Sequence, residues 1–477
     1  GLMEDSIQSS NSRRIMRALT GLALLAALFW FTWTLLLWFR WHPHLPWRDL
    51  FVILEDLQPL LDGQGSWRDW LFLFEPHYAA HRIAIPRLLV ALDVTLFNGR
   101  GHLLYGAAWL ALAGLVLIYL RMARAYFESR RAPFLFSAAV LLVLLFAPAH
   151  FWNLANAVNS SWHISFALAA MAFAVLLRPV DGPRARDWLL AYSLATLCAL
   201  TTFAGVVLWL LLPALALGAG RRTLLLTLGS SLALALLYLN GIASDAEIAM
   251  SWQGDNELVV EKIKVAGRDA LAANNPLRIF DRTAAVLGWP LSGSQPLAAL
   301  ILFVLSLPVL TIAGIGFLRA RLAAGTALHP WLQFCLMLAL LALGVALAVA
   351  LGRVIEQPNH AHGPSYERYN TIVAVYWAGV FGLLLALCCR YGQRACAAAM
   401  SAILIWLGLL LVPWGSYLEQ EIQSLEAAAT LYAGGETPGL RGKLDKKLLR
   451  FRPEFVYSFD PLFRDRELAY MRPAERI

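Results

Sequence analysis

Two adjacent carboxylates in the first polar stretch of the chain have the residue types of a general base. Glu55 and Asp56 lie inside the apolar segment FVILEDLQPLL. A charged carboxylate in such surroundings is costly unless water or a partner compensates it, and desolvation makes a carboxylate a stronger base because it raises the pKa. Either residue could therefore take a proton from a hydroxyl group. The alternative is an amphipathic surface helix with its polar face toward water.

A second polar group follows in the segment FEPHYAAHRIAIPRLL. It contains Glu75, His77, His81, Arg82 and Arg87. An arginine can hold a phosphate through two parallel charge-assisted hydrogen bonds, or it can extend from a helix end to the membrane surface. The Glu and the two His could also indicate a divalent metal site. Their spacing matches no strong ligand motif, so we predict no cofactor.

A third group stands at the start of a late apolar segment, after the polar loop GRVIEQPNHAHGPSYERYN. Arg368 and Tyr369 lie close to the end of this loop. Arg368 is a further candidate for holding a phosphate, and snorkelling from a helix end is again the alternative.

The composition places these groups on a membrane protein. Of the 477 residues, 59% are hydrophobic and 15% are charged, whereas a soluble domain has about 45–50% apolar and about 25% charged residues. No soluble core could bury so much apolar surface. A soluble enzyme, a disordered chain and a secreted disulfide scaffold are therefore excluded, and the sequence predicts an all-α polytopic membrane protein.

Apolar segments that could cross a bilayer recur along the chain. A first span ends at Phe39, and residues 83–97, which contain Pro86 and Asp93, predict a half-helix or an interfacial helix. Counting the first, we predict about eleven transmembrane helices. The other ten are 103–120, 133–149, 163–177, 188–203, 205–219, 223–242, 297–318, 330–351, 371–389 and 396–413.

Arginine residues mark one side of the predicted membrane topology. Alternation of eleven spans places the Arg-bearing turns on the same side as the N-terminus, which the positive-inside rule assigns to the cytoplasm. The arginines of these turns are Arg178, Arg184, Arg186, Arg221, Arg222, Arg319, Arg321, Arg390 and Arg394. The predicted external segments are 40–82, 243–296, the shorter loop 352–370 and a C-terminal tail, 414–477. The end of the second, RIFDRTAAVLGWPLSG, could be a re-entrant helix against the bilayer.

Charge and cysteine content add two expectations. The net charge of +8 could indicate a nucleic-acid partner, but most of the excess is arginine beside apolar runs. We therefore predict membrane lipid as a partner and no nucleic acid. The cysteines lie in or beside apolar spans, so we predict buried apolar residues rather than disulfides or metal ligands. They are Cys198, Cys335, Cys388, Cys389 and Cys396.

The order of these features resembles the GT-C superfamily of membrane glycosyltransferases. It is most similar to the bacterial branch with serotype-modifying glucosyltransferases and related lipopolysaccharide sugar transferases. The resemblance runs from residue 15 to the external tail, with residues 1–413 as the transmembrane domain and 414–477 as the tail. Its motifs are the acidic pair Glu55/Asp56, the sequences His81-Arg82-Ile83 and Pro86-Arg87-Leu88, and Arg368-Tyr369.

The resemblance implies an activity for the site residues. The donor would be a sugar on polyprenyl phosphate, such as undecaprenyl phosphate, and the acceptor a glycan or lipid-linked glycan such as O-antigen. Asp56 or Glu55 would be the base of an inverting transfer. The implied substrate-binding residues, chiefly for the phosphate, are His81, Arg82, Arg87, Arg368, Tyr369, Glu75 and His77. The place would be the periplasmic face of a bacterial inner membrane, in the cell envelope.

Two other functions use the same features. A flippase or transporter of lipid-linked glycans would also span the membrane, but transporters usually place ionisable residues near the bilayer midplane and have repeated halves. The spans after residue 100 carry almost no charge, which favours an interfacial enzyme. An external-face glycan polymerase or ligase shares the substrate class and stays open.

Overall fold

A computed structural model describes most of the apolar part of the chain. The described residues are 2–41, 53, 57, 60, 63, 66, 69–77, 81–97, 101–128, 130–147, 153–154, 159–178, 182–240, 276–289, 291–323, 328–352 and 369–411. Glu55, Asp56, Arg368 and the predicted tail 414–477 lie outside this set, so the structure does not test the roles predicted for them.

The described chain is built from α-helices. In chain order they are α1 (Leu2–Trp41), α2 (Ala84–Phe97), α3 (His102–Phe127), α4 (Arg131–Phe146), α5 (Ser160–Leu177), α6 (Ala185–Ala199), α7 (Ala204–Leu215), α8 (Arg221–Leu239), α9 (Pro276–Leu287), α10 (Leu291–Ser294), α11 (Pro296–Leu322), α12 (Pro330–Gly352), α13 (Asn370–Cys389) and α14 (Gln393–Leu411). A 3-10 helix (Asp69–Phe74) and two short strands, β1 (Pro76–His77) and β2 (His81–Arg82), precede α2.

The all-α membrane architecture is confirmed by helix length and composition. Within the described residues, eight helices are long and apolar enough to cross a membrane. A helix also occupies each of the eleven predicted spans, but α4, α6 and α7 have 16, 15 and 12 residues. A full crossing takes about 20 residues. The count of eleven crossings therefore stays a prediction.

The core of the bundle lies around α12 and α13. Gly379 and Gly382 of α13 permit this contact, because a Cβ at either position would come within 2.6 Å of Cys335 on α12. Small residues of this kind let membrane helices approach closely. By contrast, α1, α8 and α11 expose many large apolar side chains, as helices in contact with lipid do.

The arginine-bearing turns meet at one end of the bundle, which we call the arginine-rich end (described residues 128, 130, 178, 182–184, 215–222, 319–323, 328–329 and 389–394). Arg130 Nη1 donates to the Cys389 carbonyl at 2.8 Å, and Arg321 Nη1 donates to the Leu215 carbonyl at 3.0 Å. The strands, the 200–203 turn and the starts of α5 and α13 lie at the other end. We call it the hairpin end.

The predicted re-entrant segment is the helix α9, which packs against α11, α12 and α13. Its second half, from Arg282 to Leu287, is buried. The indole of Trp377 on α13 donates to the Leu287 carbonyl at 2.8 Å. The helix is therefore inserted into the bundle by its C-terminal half.

The prediction that all the cysteines are unpaired is wrong for Cys389 and Cys396, which form a disulfide. Their Cα atoms are 4.4 Å apart, because the turn between α13 and α14 is short and Gly392 adopts a positive φ of 106° within it. Left-handed backbone of this kind favours glycine. Cys198 and Cys335 are buried free thiols, as predicted, and Cys388 is half-buried.

Candidate functional site

A small hairpin gathers the predicted residues of the second polar group. In the hairpin, β1 and β2 pair antiparallel, with Pro76 opposite Arg82. The second pair is His77 opposite His81, and Glu75 directly precedes β1. The two His residues, which are four apart in sequence, are thus paired in the backbone register of the hairpin.

Arg82 ties the hairpin to the end of α8. Its guanidinium donates to three backbone carbonyls, those of Phe74, Tyr238 and Asn240, and lies 5.8 Å from the centre of the Tyr238 ring. A guanidinium has five N–H donors. A phosphate bound to Arg82 would therefore share the N–H groups of the guanidinium with these three carbonyls.

Arg87 is buried in α2, with 1% of its surface exposed. Its Nη1 donates to the Glu75 carbonyl at 2.6 Å and reaches the Leu73 carbonyl at 3.4 Å. An arginine that snorkels keeps its charged head in water, and this one does not. Arg87 therefore fixes the 3-10 helix and the start of β1 against α2.

Asp93, the acidic interruption of α2, caps the next helix. One carboxylate oxygen accepts the Gly101 N–H at 2.6 Å and the other accepts the Leu103 N–H at 2.9 Å. The first N–H groups of a helix have no partner within it, and the helix dipole favours an anion there. The buried charge of Asp93 is thus explained by the start of α3.

The turn 200–203, which joins α6 to α7, lies deeper in the bundle than the start of α5. The Thr202 and Ser165 hydroxyls are 2.8 Å apart, and Ser165 lies five residues beyond the start of α5 at Ser160. At 1.5 Å per residue, the turn lies about 7–8 Å below the start of α5. The Ile85 N–H of α2 donates to the Leu200 carbonyl at 3.0 Å. The start of α2, directly after Arg82, therefore sits on this lowered turn.

A chain of buried polar side chains joins α5 to α13 at the hairpin end. Asn159 Nδ2 donates to Asn153 Oδ1 at 3.2 Å, and Asn153 Nδ2 donates to Thr371 Oγ1 at 3.0 Å. Thr371 Oγ1 lies 3.2 Å from His163 Nδ1. All four residues are buried. We call them the His163 network (Asn153, Asn159, His163 and Thr371).

Sequence reasoning missed the His163 network, although a signal was present. The segment WNLANAVNSSWHIS carries several amides and an imidazole directly before an apolar run. Polar and ionisable residues within membrane spans are candidates for function. Nothing in the spacing of the sequence pairs this segment with Thr371, which is more than two hundred residues further along the chain.

Tyr369, a predicted site residue, borders this network. It is buried and directly precedes α13, two residues before Thr371. Its ring packs edge-on against Trp162 of α5, with the ring centres 5.8 Å apart. The structure therefore brings one predicted residue of the third polar group to the starts of α5 and α13.

The described part of the chain shows no ready metal site. No three His, Cys, Asp or Glu side chains within it group closely enough to hold an ion.

The arginine-rich end has a titratable contact of its own at His329. His329 Nδ1 accepts the Trp331 N–H at 3.2 Å, and its ring packs against Tyr126 with the ring centres 4.8 Å apart. Burial and the nearby Arg390 lower the pKa of His329, while Glu128 acts in the opposite direction. The neutral imidazole is the form that can accept this hydrogen bond.

Comparisons with known proteins leave the site to be interpreted from its own chemistry. No family model, no curated protein and no solved structure matches the chain.

Proposed function

We propose that this protein is a GT-C-type membrane glycosyltransferase that uses a polyprenyl-phosphate-linked sugar as donor. The acceptor is a glycan or a lipid-linked glycan, and the hairpin end faces the periplasm of a bacterial inner membrane. One observation carries the proposal. His81 and Arg82 form β2 directly before α2, and the start of α2 contacts the lowered turn 200–203 near buried polar side chains.

The chemistry needs few groups. The acceptor oxygen forms a bond to the anomeric carbon while the bond from that carbon to the phosphate oxygen breaks. The electron pair leaves with polyprenyl phosphate, and the proton of the acceptor hydroxyl passes to a carboxylate. A base and a cationic clamp for the departing phosphate are therefore sufficient. A single displacement of this kind inverts the anomeric carbon.

The residues divide into these roles. Asp56 or Glu55 is the proposed base, and Arg82 and Arg368 are the proposed phosphate ligands, with His81 beside the phosphate or the acceptor. Arg87 has its Nη1 on the Glu75 and Leu73 carbonyls. In this proposal it supports the hairpin, and a phosphate contact from it would add to that role.

The experiment compares carboxylate variants in lipid nanodiscs. The full chain and its Asp56→Asn and Glu55→Gln variants are assayed for transfer from polyprenyl-phosphate glucose, mannose and galactose. We expect one variant to lose transfer by about 100-fold or more, since general-base catalysis contributes about 10²–10⁴-fold. Asp187→Asn is the matched control, because that carboxylate lies beside Arg186 at the other end of the bundle.

Two outcomes would contradict different parts of the proposal. Full transfer by both variants removes the proposed base and leaves the proposed activity in place. Movement of a labelled lipid-linked glycan across the bilayer without any transfer would instead identify a flippase.

A further inference from the structure

We infer that the His163 network is the specificity site that hydrogen-bonds hydroxyl groups of the sugar on the donor lipid. This inference rests on the proposed function and names the part of the substrate that the buried residues recognise. Imidazole, amide and hydroxyl groups each offer donors or acceptors, as sugar hydroxyls do. The network therefore has the chemistry for a neutral polyol, whereas the hairpin has the chemistry for a phosphate.

Burial makes this cluster costly for a structural role alone. His163, Asn153 and Thr371 are each 0% exposed, and the long helices of the bundle are predominantly apolar. A polar group in such surroundings is costly unless it is paired, and an ionisable one such as His163 is by default a candidate for function. A packed apolar contact would join α5 to α13 without that cost.

Position links the network to the hairpin. From α2, which follows the hairpin, the Ile85 N–H bonds to the Leu200 carbonyl, and Thr202 of the same turn bonds to Ser165 of α5. His163 lies two residues before Ser165, about 3 Å nearer the hairpin end along the helix axis. Two residues turn about 200° around a helix, so the His163 side chain faces Thr371 of α13 while that of Ser165 faces the turn. A sugar attached to a phosphate at Arg82 would therefore reach the network by passing the start of α5.

Order within the network also fits recognition. Two asparagine side chains lead to the Thr371 hydroxyl, which meets His163 Nδ1 at 3.2 Å. Each side chain is oriented by the one before it, so the imidazole has a set rotation before any ligand arrives. Preorganised polar groups of this kind discriminate between substrates, because a missing hydroxyl leaves a buried partner unpaired.

The test separates recognition from support of the fold. The full chain and the variants His163→Ala, His163→Gln and Thr371→Val are placed in nanodiscs. Binding of polyprenyl phosphate, binding of polyprenyl-phosphate sugars and their monodeoxy analogues, and thermal unfolding are measured for each. Thr227→Val is the matched control. Thr227 is a buried threonine on α8, and its hydroxyl donates to the Leu224 carbonyl of the same helix.

We expect His163→Ala to weaken binding of the preferred sugar lipid by about 100-fold, and to weaken binding of bare polyprenyl phosphate by less than about twofold. One deoxy analogue should bind the wild-type protein more weakly than the full sugar lipid does. The same analogue should bind His163→Ala and the wild-type protein with equal affinity. Thr371→Val should show a smaller loss of the same kind, and Thr227→Val none.

A purely structural network gives a different result. In that case every network variant unfolds at a lower temperature, and its affinity for polyprenyl phosphate falls as much as its affinity for the sugar lipids. That result would overturn the inference. Wild-type affinity for the sugar lipids in all network variants would overturn it too. If His163→Ala does not fold, His163→Gln and Thr371→Val decide by the same comparison. A wild-type protein that binds no sugar lipid refutes the proposed function itself, and the inference falls with it.

Discussion

Arg82 and Tyr238 are joined by two hydrogen bonds. The backbone N–H of Arg82 donates to the Tyr238 hydroxyl at 3.0 Å, and Arg82 Nε donates to the Tyr238 carbonyl at 3.2 Å. The two residues are 156 positions apart. The hairpin is therefore fixed to the end of α8, and the position of a phosphate at Arg82 depends on a helix that carries none of the predicted site residues.

The Tyr238 hydroxyl can be removed without changing the shape of the ring. Tyr238→Phe leaves the partly buried N–H of Arg82 without its acceptor, and we expect a loss of about 1 kcal/mol of stability. Thermal unfolding in nanodiscs measures it. Tyr391→Phe is the matched control, because Tyr391 is 86% exposed. Equal melting temperatures for both variants would show that the contact does not hold the hairpin.

The close packing at the turn between α6 and α7 predicts that Gly205 cannot be replaced without cost. A Cβ at this position would overlap the backbone of Ala199, so Gly205→Ala requires the two helices to move apart. We expect a loss of about 1–3 kcal/mol, as for other overpacked sites.

The control for that variant is another glycine within a helix. A Cβ at Gly229 of α8 would meet no atom within 4 Å. Gly229→Ala should therefore raise stability slightly, by about 0.5–1 kcal/mol. Melting temperatures that fall equally in both variants would mean that the tight turn is not the cause.

His329 predicts a pH dependence of stability. Its pKa in the folded protein is lowered from the ordinary value of 6.5, so the unfolded chain binds a proton more readily than the folded chain. Stability should therefore be complete above pH 6.5, fall as the pH drops below that value, and level off once the folded protein is also protonated. Melting temperatures between pH 5 and 8 measure the effect, and His329→Gln should flatten this part of the curve. An unchanged slope in His329→Gln would assign the dependence to other groups.

The orientation of the bundle can be tested with single cysteines. Tyr391 is exposed at the arginine-rich end, and Arg278 is exposed on α9 at the start of the segment before α11. In intact inner-membrane vesicles of known sidedness, an impermeant maleimide should label Tyr391→Cys only from the cytoplasmic side. Arg278→Cys should be labelled only from the periplasmic side. The reverse pattern would place the hairpin end in the cytoplasm.

The helices were predictable because the membrane imposes a simple rule. Every backbone polar group within the bilayer must be satisfied locally, so each apolar run became a helix, and all eleven predicted runs did so. The lengths of the helices were harder to predict. The predicted span 205–219 corresponds to α7, which ends at Leu215, because tight turns at both its ends shorten it.

The site was predictable in composition and not in arrangement. Residues near each other in sequence, such as His81 and Arg82, were identified by their types. The partners that orient them come from distant segments, as Tyr238 does for Arg82 and Thr371 does for His163. Hydropathy and spacing carry no information about which helix ends meet, so the His163 network and the disulfide were missed.

The unequal helices also affect the lipid around the protein. At 1.5 Å per residue, α6 and α7 are about 23 and 18 Å long, whereas α11, with 27 residues, is about 40 Å long. Leu189 and Leu210 on the two short helices are exposed, so we expect acyl chains to pack against them. If these helices cross a bilayer core about 30 Å thick, the bilayer should thin beside α6 and α7, and α11 should tilt or the bilayer thicken around it. Membrane thickness is then a variable that can change the activity and the lateral position of the protein.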